Sequence, residues 1–141
     1  MSEAKIHLSI PGKKDPVTVN QKIDRSKYFT WGEALHNLER IPTDYTVTAN
    51  IIKLATALDV VREKIGQPMI VQSWYRDPES NRLAGGVSNS NHLYGCACDF
   101  HPLGGDFNSI YHMLDAEWQG GLGNYGDWFH IDIGTYARWF G

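Results

Sequence analysis

Hydrophobic positions follow a helical rhythm in the first half of the chain and a two-residue rhythm in the second. Ile51, Leu54, Ala55, Leu58, Val61 and Ile65 recur three and four apart, which predicts a long helix from about Val47 to Ile65 with its apolar stripe on the core. Arg62 and Lys64 in its last turn, Gly66 behind them and Pro68 beyond make up a stop signal. Upstream, Thr30-Trp31-Gly32-Glu33 is a capping box, with Thr30 at the N-cap and Glu33 placed to reach back to it. It predicts a short helix through about Leu38 that carries Trp31, Ala34, Leu35 and Leu38 on one side, and Pro42-Thr43-Asp44 then separates the two helices.

Residues 4–20 read as a hairpin: Lys5 to Ile10 alternates, residues 11–16 turn, and Val17-Thr18-Val19 returns, forming an accessory edge or a flexible arm. Beyond the long helix, residues 68–75 read as a strand. Asp77-Pro78-Glu79 opens a short helix that runs to about Leu83 and is broken by Gly85-Gly86. Residues 86–95 are loop-like and residues 96–101 form a strand. Asp106 caps a helix over residues 107–114, residues 120–125 make a glycine-rich strand or turn, and residues 128–133 form the last strand. With no repeat and no linker, the chain reads as one domain, divided into an N-terminal hairpin or arm over residues 1–27 and a main body over residues 28–141. Helices precede short strands, so the expected class is α+β, a small antiparallel sheet packed against helices.

Composition narrows the options. At 141 residues the chain can bury a core without disulfide staples. The net charge is −3 and no run of Lys or Arg occurs, which argues against a nucleic-acid partner. No apolar run is long enough to enter and cross a bilayer, so no membrane insertion is expected. The first residues lack a basic stretch followed by an apolar one, so no secretory signal is visible and synthesis in the cytoplasm is expected. Cys96 and Cys98 sit two apart, too awkward for an easy disulfide, and no second cysteine pair completes a zinc knuckle. Free thiols are expected.

The candidate chemistry lies on the last strands. Along 96–101, Cys96, Cys98 and Phe100 share an apolar face, which assigns the cysteines to the core and turns Asp99 toward a cleft. Along 128–133, Phe129, Ile131 and Ile133 form the apolar face and Trp128, His130 and Asp132 lie opposite. If the two strands are neighbours, Asp99 and His130 converge. His92 precedes Asp99 by seven residues, roughly 23 Å in an extended chain. To share a metal with Asp99 the chain must double back, and Tyr94-Gly95 is where it can. Ser90 and Asn91 can fix that loop by bonding local backbone. Asp127 shares the site only if it still lies in the turn before the strand. Two histidines and a carboxylate leave one position open on zinc, as catalytic sites do. On spacing alone, structural or surface roles for each histidine stand as the alternative, and for His101 and His112 they are the expected ones.

Taken in order, Ser73-Trp74-Tyr75-Arg76, Asn81, Gly85-Gly86, Ser90-x-His92-x-x-Gly95-x-Ala97-x-Asp99 and Asp127-x-x-His130-x-Asp132 resemble the zinc D-Ala-D-Ala carboxypeptidases. That superfamily of peptidoglycan peptidases shares its fold with the hedgehog signalling domain. The likeness spans residues 28–140, including Phe29-Thr30 and Ala137-Arg138-Trp139, and leaves the 4–20 hairpin outside. It implies a zinc peptidase domain over residues 28–141 with one zinc on His92, Asp99 and His130. It also implies that Asp127 is general base and acid, and that Arg76 steadies the carbonyl oxygen or a substrate carboxylate. Ser90 would orient the ligand loop and Asp132 would support His130, a strand-end cap being the alternative for Asp132. Trp74 departs from the family, which commonly has a small residue there; its indole is expected to narrow the cleft or form a stacking wall for substrate. An aspartate serves as acid/base group where some relatives have glutamate.

The implied partners are peptidoglycan stem peptides, and the implied reaction is removal of a terminal D-Ala at the cell wall. The rivals are an L-alanyl-D-glutamate endopeptidase of the phage endolysin kind, a non-catalytic zinc-containing module for wall binding or phage structure, and an unrelated metal-free α+β domain.

Overall fold

The computed structural model describes residues 6–141. Helix α1 (Trp31–Ala34) leads to the long α2 (Tyr45–Ile65), strand β1 (Met69–Ser73) and α3 (Pro78–Leu83). A 3₁₀ turn over Asn91–Tyr94 precedes β2 (Ala97–Pro102), α4 (Phe107–Glu117), β3 (Gly121–Asn124), β4 (Phe129–Asp132) and β5 (Ala137–Phe140). The five strands form one sheet in the order β1-β2-β4-β3-β5. The class is α+β, as the order of helical patterns before short strands predicts.

The long helix follows its stripe. Ile51, Leu54, Ala55, Leu58 and Val61 are buried, and Asp44 caps the start by accepting from the amides of Thr46 and Val47. The capping box of Thr30 and Glu33 closes with both hydrogen bonds present. The helix it opens is shorter than predicted, ending at Ala34. His36, Asn37 and Leu38 follow with φ of 50°, 58° and 67°, a left-handed turn built without glycine. The turn bonds back, Asn37 to Gly32 and Arg40 to Leu35, and still buries Leu38.

The sheet is mixed, not purely antiparallel. The predicted last strand is followed by another, β5, which pairs parallel with β3; the remaining pairings are antiparallel. Of the N-terminal hairpin, the Lys5 end lies outside the described residues, and the rest makes one antiparallel bridge, Leu8 with Val17. Ile10, Val17 and Ile23 are buried in the same core as Trp31, Ala34 and Leu35.

One sheet face carries the core. Cys98, Phe100, Leu122, Phe129 and Ile131 are fully buried there. The Phe129 ring stacks on Phe107 of α4 at 4.2 Å and tilts against Phe100 at 5.6 Å. Each such side chain contributes about 1.5–3 kcal/mol by leaving water. This burial also sets register: a slip of one residue would turn Phe100 and Phe129 out and drive Asp99 and His130 into the apolar core. The opposite face is thereby committed to the polar residues. Cys96 lies just outside β2 and is half-buried, so only Cys98 takes the core position expected of both cysteines; both thiols are free.

Candidate metal centre

Asp99 of β2 and His130 of β4 lie directly across from one another in the ladder. Asp99 Oδ1 is 3.0 Å from His130 Nδ1 and 3.2 Å from His92 Nε2. The ligand atoms offered by His92, Asp99 and His130 all lie within 4.8 Å of one another.

His92 reaches the site through a fold-back fixed at several points. Ser90 caps the 3₁₀ turn, its hydroxyl accepting from the His92 amide at 3.2 Å. Gly95 then reverses the chain with φ of 75°, a left-handed conformation that glycine adopts without strain. It also lies against α2: a Cβ there would meet Ile51 Cγ1 at 2.8 Å and the Val47 carbonyl at 2.9 Å. The Trp74 indole donates to the Gly95 carbonyl at 3.1 Å, and Asn50 donates to that of Tyr94 at 3.0 Å. The core-facing side of α2 and the Trp74 indole therefore hold the hinge that lets two residues seven apart meet.

Each histidine is anchored by its outer nitrogen. His92 Nδ1 donates to the Trp74 carbonyl at 2.6 Å, an oxygen that can only accept. His130 Nε2 donates to Asp132 Oδ2 at 2.7 Å, while Asp132 Oδ1 accepts from the amides of Gly121 and Gly134. The two outer protons turn the inner nitrogens toward Asp99 Oδ1. Three lone-pair atoms facing one another need a cation between them, either protons or a metal. Two imidazole nitrogens and one carboxylate oxygen, with carbonyl and carboxylate groups behind the rings, form a donor set that suits zinc.

The other site residues divide into those at the cluster and those away from it. Arg76 points at Asp99, its guanidinium donating to Oδ2 at 3.2 Å, to the Ser73 hydroxyl at 3.1 Å and to Asn81 Oδ1 at 3.5 Å. Its surface alternatives are otherwise engaged: Glu79 pairs with Arg82, and Asp77 caps α3. Asp132 stands behind His130 while also receiving the two backbone amides. Asp127 is exposed in the loop of residues 125–128 between β3 and β4, three residues before His130, and its carboxylate makes no hydrogen bond among the described residues. Trp74 corrects the expectation of a stacking wall. Its indole is 1% exposed and packs edge-on against Phe29 at 5.9 Å. It lies across the strand from Ser73, whose hydroxyl faces Arg76, so it enters the core; its part in the site is its backbone carbonyl. Ser73 and Asn81 hold Arg76 in place. The signal for Ser73 was its alignment with Asp99 in the ladder, which no single-strand pattern displays.

Burial pushes Asp99 upward, but hydrogen bonds from His130 and His92 and their charges outweigh it and hold the carboxyl at about 2. Burial pulls His130 down, yet its bonds to Asp132 and Asp99 outweigh this and raise it to about 9.

Among known proteins, a family model described as peptidase M15 matches residues 27–132. The chain belongs to the peptidase M15 family. No curated protein matches it. The match starts just before α1 and ends at Asp132, so it takes in the three converging residues and their supports. M15 peptidases are zinc-dependent metallopeptidases, and the cluster of this M15 chain fits that metal.

Zinc uptake by this M15 chain is expected to release a proton. His130 is held protonated up to about pH 9 in the metal-free fold, so coordination through Nδ1 at pH 7 must displace that proton. In the metal-free chain the same linkage contributes stability that is full below the ordinary histidine range and lost as pH rises through about 9. Calorimetric titration in buffers of different ionisation enthalpy should show release of about one proton per zinc at pH 7, and affinity rising with pH. Buffer-independent heat would contradict this protonation state.

Proposed function

We propose that the chain hydrolyses peptide bonds in the stem peptides of bacterial peptidoglycan, with removal of a terminal D-Ala as the preferred reaction. The observation that carries the peptidase reading is the convergence of His92 Nε2, His130 Nδ1 and Asp99 Oδ1 with both outer nitrogens already anchored. The order of the Arg76, His92, Asp99, Asp127 and His130 motifs supports the carboxypeptidase preference.

When held by His92, Asp99 and His130, zinc would supply a Lewis acid and lower the pKa of water to about 7. The protein's own groups do the rest. Asp127 takes a proton from the attacking water and passes it to the departing amine; an exposed carboxylate with no hydrogen bond among the described residues suits that role. Arg76 keeps its charge while largely shielded from water, so it can face negative charge developing on the carbonyl oxygen. Ser90 keeps His92 in register, and Asp132 holds His130 in the required tautomer. The site of action is the cell wall.

One observation favours endopeptidase action, with an L-alanyl-D-glutamate bond as the target and an endolysin as the setting. Arg76 already donates from each of its three nitrogens, to Ser73, Asn81 and Asp99, which leaves it less free to grip a terminal carboxylate. Digestion of purified peptidoglycan followed by mass analysis of the fragments separates the readings. Free D-Ala is the expected product; stems released from glycan establish the endopeptidase, and intact stems with zinc-loaded protein leave a binding module.

A further inference from the structure

His130, Gly123 and Trp139 occupy matching positions on three adjacent strands: Gly123 of β3 lies opposite His130 of β4 on one side and Trp139 of β5 on the other. Residues so aligned project from the same face of a sheet. Gly123 has no side chain, and the Trp139 indole fills the gap. A Cβ at Gly123 would lie 2.5 Å from Trp139 Nε1 and 2.6 Å from its Cε2. The half-buried indole thus crosses β3 and comes against the His130 ring, with centroids 5.2 Å apart and planes at 48°. The His92 ring contacts His130 at the same centroid distance, edge-on at 77°.

Hydrogen bonds to Asp99 and Asp132 engage the two nitrogens at the edge of His130, but each tolerates a range of angles, so the side chain can still swing about its χ1 and χ2 torsions. A contact with the ring itself restrains that swing. The indole is in turn fixed, its Nε1 donating to the Tyr125 hydroxyl at 2.8 Å. Tyr125 stacks on Trp128 at 4.0 Å with planes 10° apart, and these two residues bracket Gly126 and Asp127. One aromatic row therefore links a proposed metal ligand to the loop that carries the proposed acid/base group.

We propose that Trp139 is a positioning residue for the metal centre: seated over Gly123, its indole holds the His130 ring in the orientation that divalent-metal coordination requires. This rests on the reading of His130 as a ligand. The role belongs to the ring surface, with the hydrogen bond to Tyr125 keeping the ring in place.

The test is zinc affinity, by chelator competition, and the visible spectrum of the cobalt-substituted protein, each with thermal unfolding of the metal-free chain. Trp139→Ala is expected to weaken zinc binding on the order of 10- to 100-fold and to alter the cobalt bands. Gly123→Ala, which pushes the indole away, is expected to shift both in the same direction. Trp139→Phe keeps an aromatic ring and should recover most of the affinity. Phe140→Ala alters an exposed neighbour on β5 and should leave affinity and spectrum unchanged. Wild-type affinity and spectrum in both Trp139→Ala and Gly123→Ala would overturn the proposal. So would a Phe140→Ala loss as large as that of Trp139→Ala, or a Trp139→Phe chain no better than Trp139→Ala. If the wild-type chain takes up no zinc, the ligand reading itself fails; if it binds zinc and these variants match it, only the brace fails.

Discussion

Asp99→Ala is expected to remove zinc, turnover and a large share of fold stability together. Asp99 is the one group that touches every other member of the cluster: Oδ1 faces both histidines, and Oδ2 accepts from Arg76. Its side chain is 8% exposed and that of Arg76 14%, so the pair is largely shielded from water. Removing one partner of a buried ion pair strands the other charge, which destabilises by about 3–5 kcal/mol. Among the described residues, Arg76 would keep only the neutral oxygens of Ser73 and Asn81 as side-chain partners. The metal set would fall to two histidines, too few for a catalytic zinc site. Elemental analysis and urea unfolding read the two effects separately. Wild-type zinc content in Asp99→Ala would remove it from the ligand set.

Asp127→Asn is expected to do the reverse: keep zinc and stability and lose turnover. The side chain is exposed and unbonded among the described residues, so the amide should change unfolding by no more than about 0.5 kcal/mol. An amide cannot accept the proton of the attacking water, and loss of a general acid/base group typically lowers kcat on the order of 10²–10⁴-fold. The contrast with Asp99 is diagnostic, because Asp99 is bonded to three neighbours in the fold and Asp127, among the described residues, to none. Turnover within a few-fold of wild type would remove Asp127 from the mechanism. Steady-state rates on a synthetic stem peptide, beside zinc content, are the measurement.

Much of this arrangement can be read from strand periodicity. Alternation along residues 96–101 and 128–133 puts Phe100 and Phe129 on one face and Asp99 and His130 on the other, and the ladder pairs each with its counterpart. The Gly95 reversal is legible because a left-handed residue between two distant ligands is what glycine is used for. Other features depend on tertiary contacts that no local pattern records. His36, Asn37 and Leu38 turn left-handed without a glycine to mark them, because bonds back to α1 and burial of Leu38 sustain the turn. Strand β5 is four residues long and finds its parallel partner β3 only after β4 has turned back. Trp74 reads as a departure in the cleft, yet an irregularity between Val71 and Ser73 resets the strand and sends the indole inward. Trp139 shows the opposite: its place beside His130 depends on a glycine in a third strand, a relation visible only when three strands lie side by side.

The account depends on the cluster being a working zinc site. The most direct test strips the wild-type chain with a chelator, restores zinc in steps, and follows cleavage of purified peptidoglycan alongside bound zinc. Cleavage should rise in proportion to zinc and level off at about one per chain. Full cleavage by the stripped chain, or a fully loaded chain that leaves every stem bond intact, would contradict it.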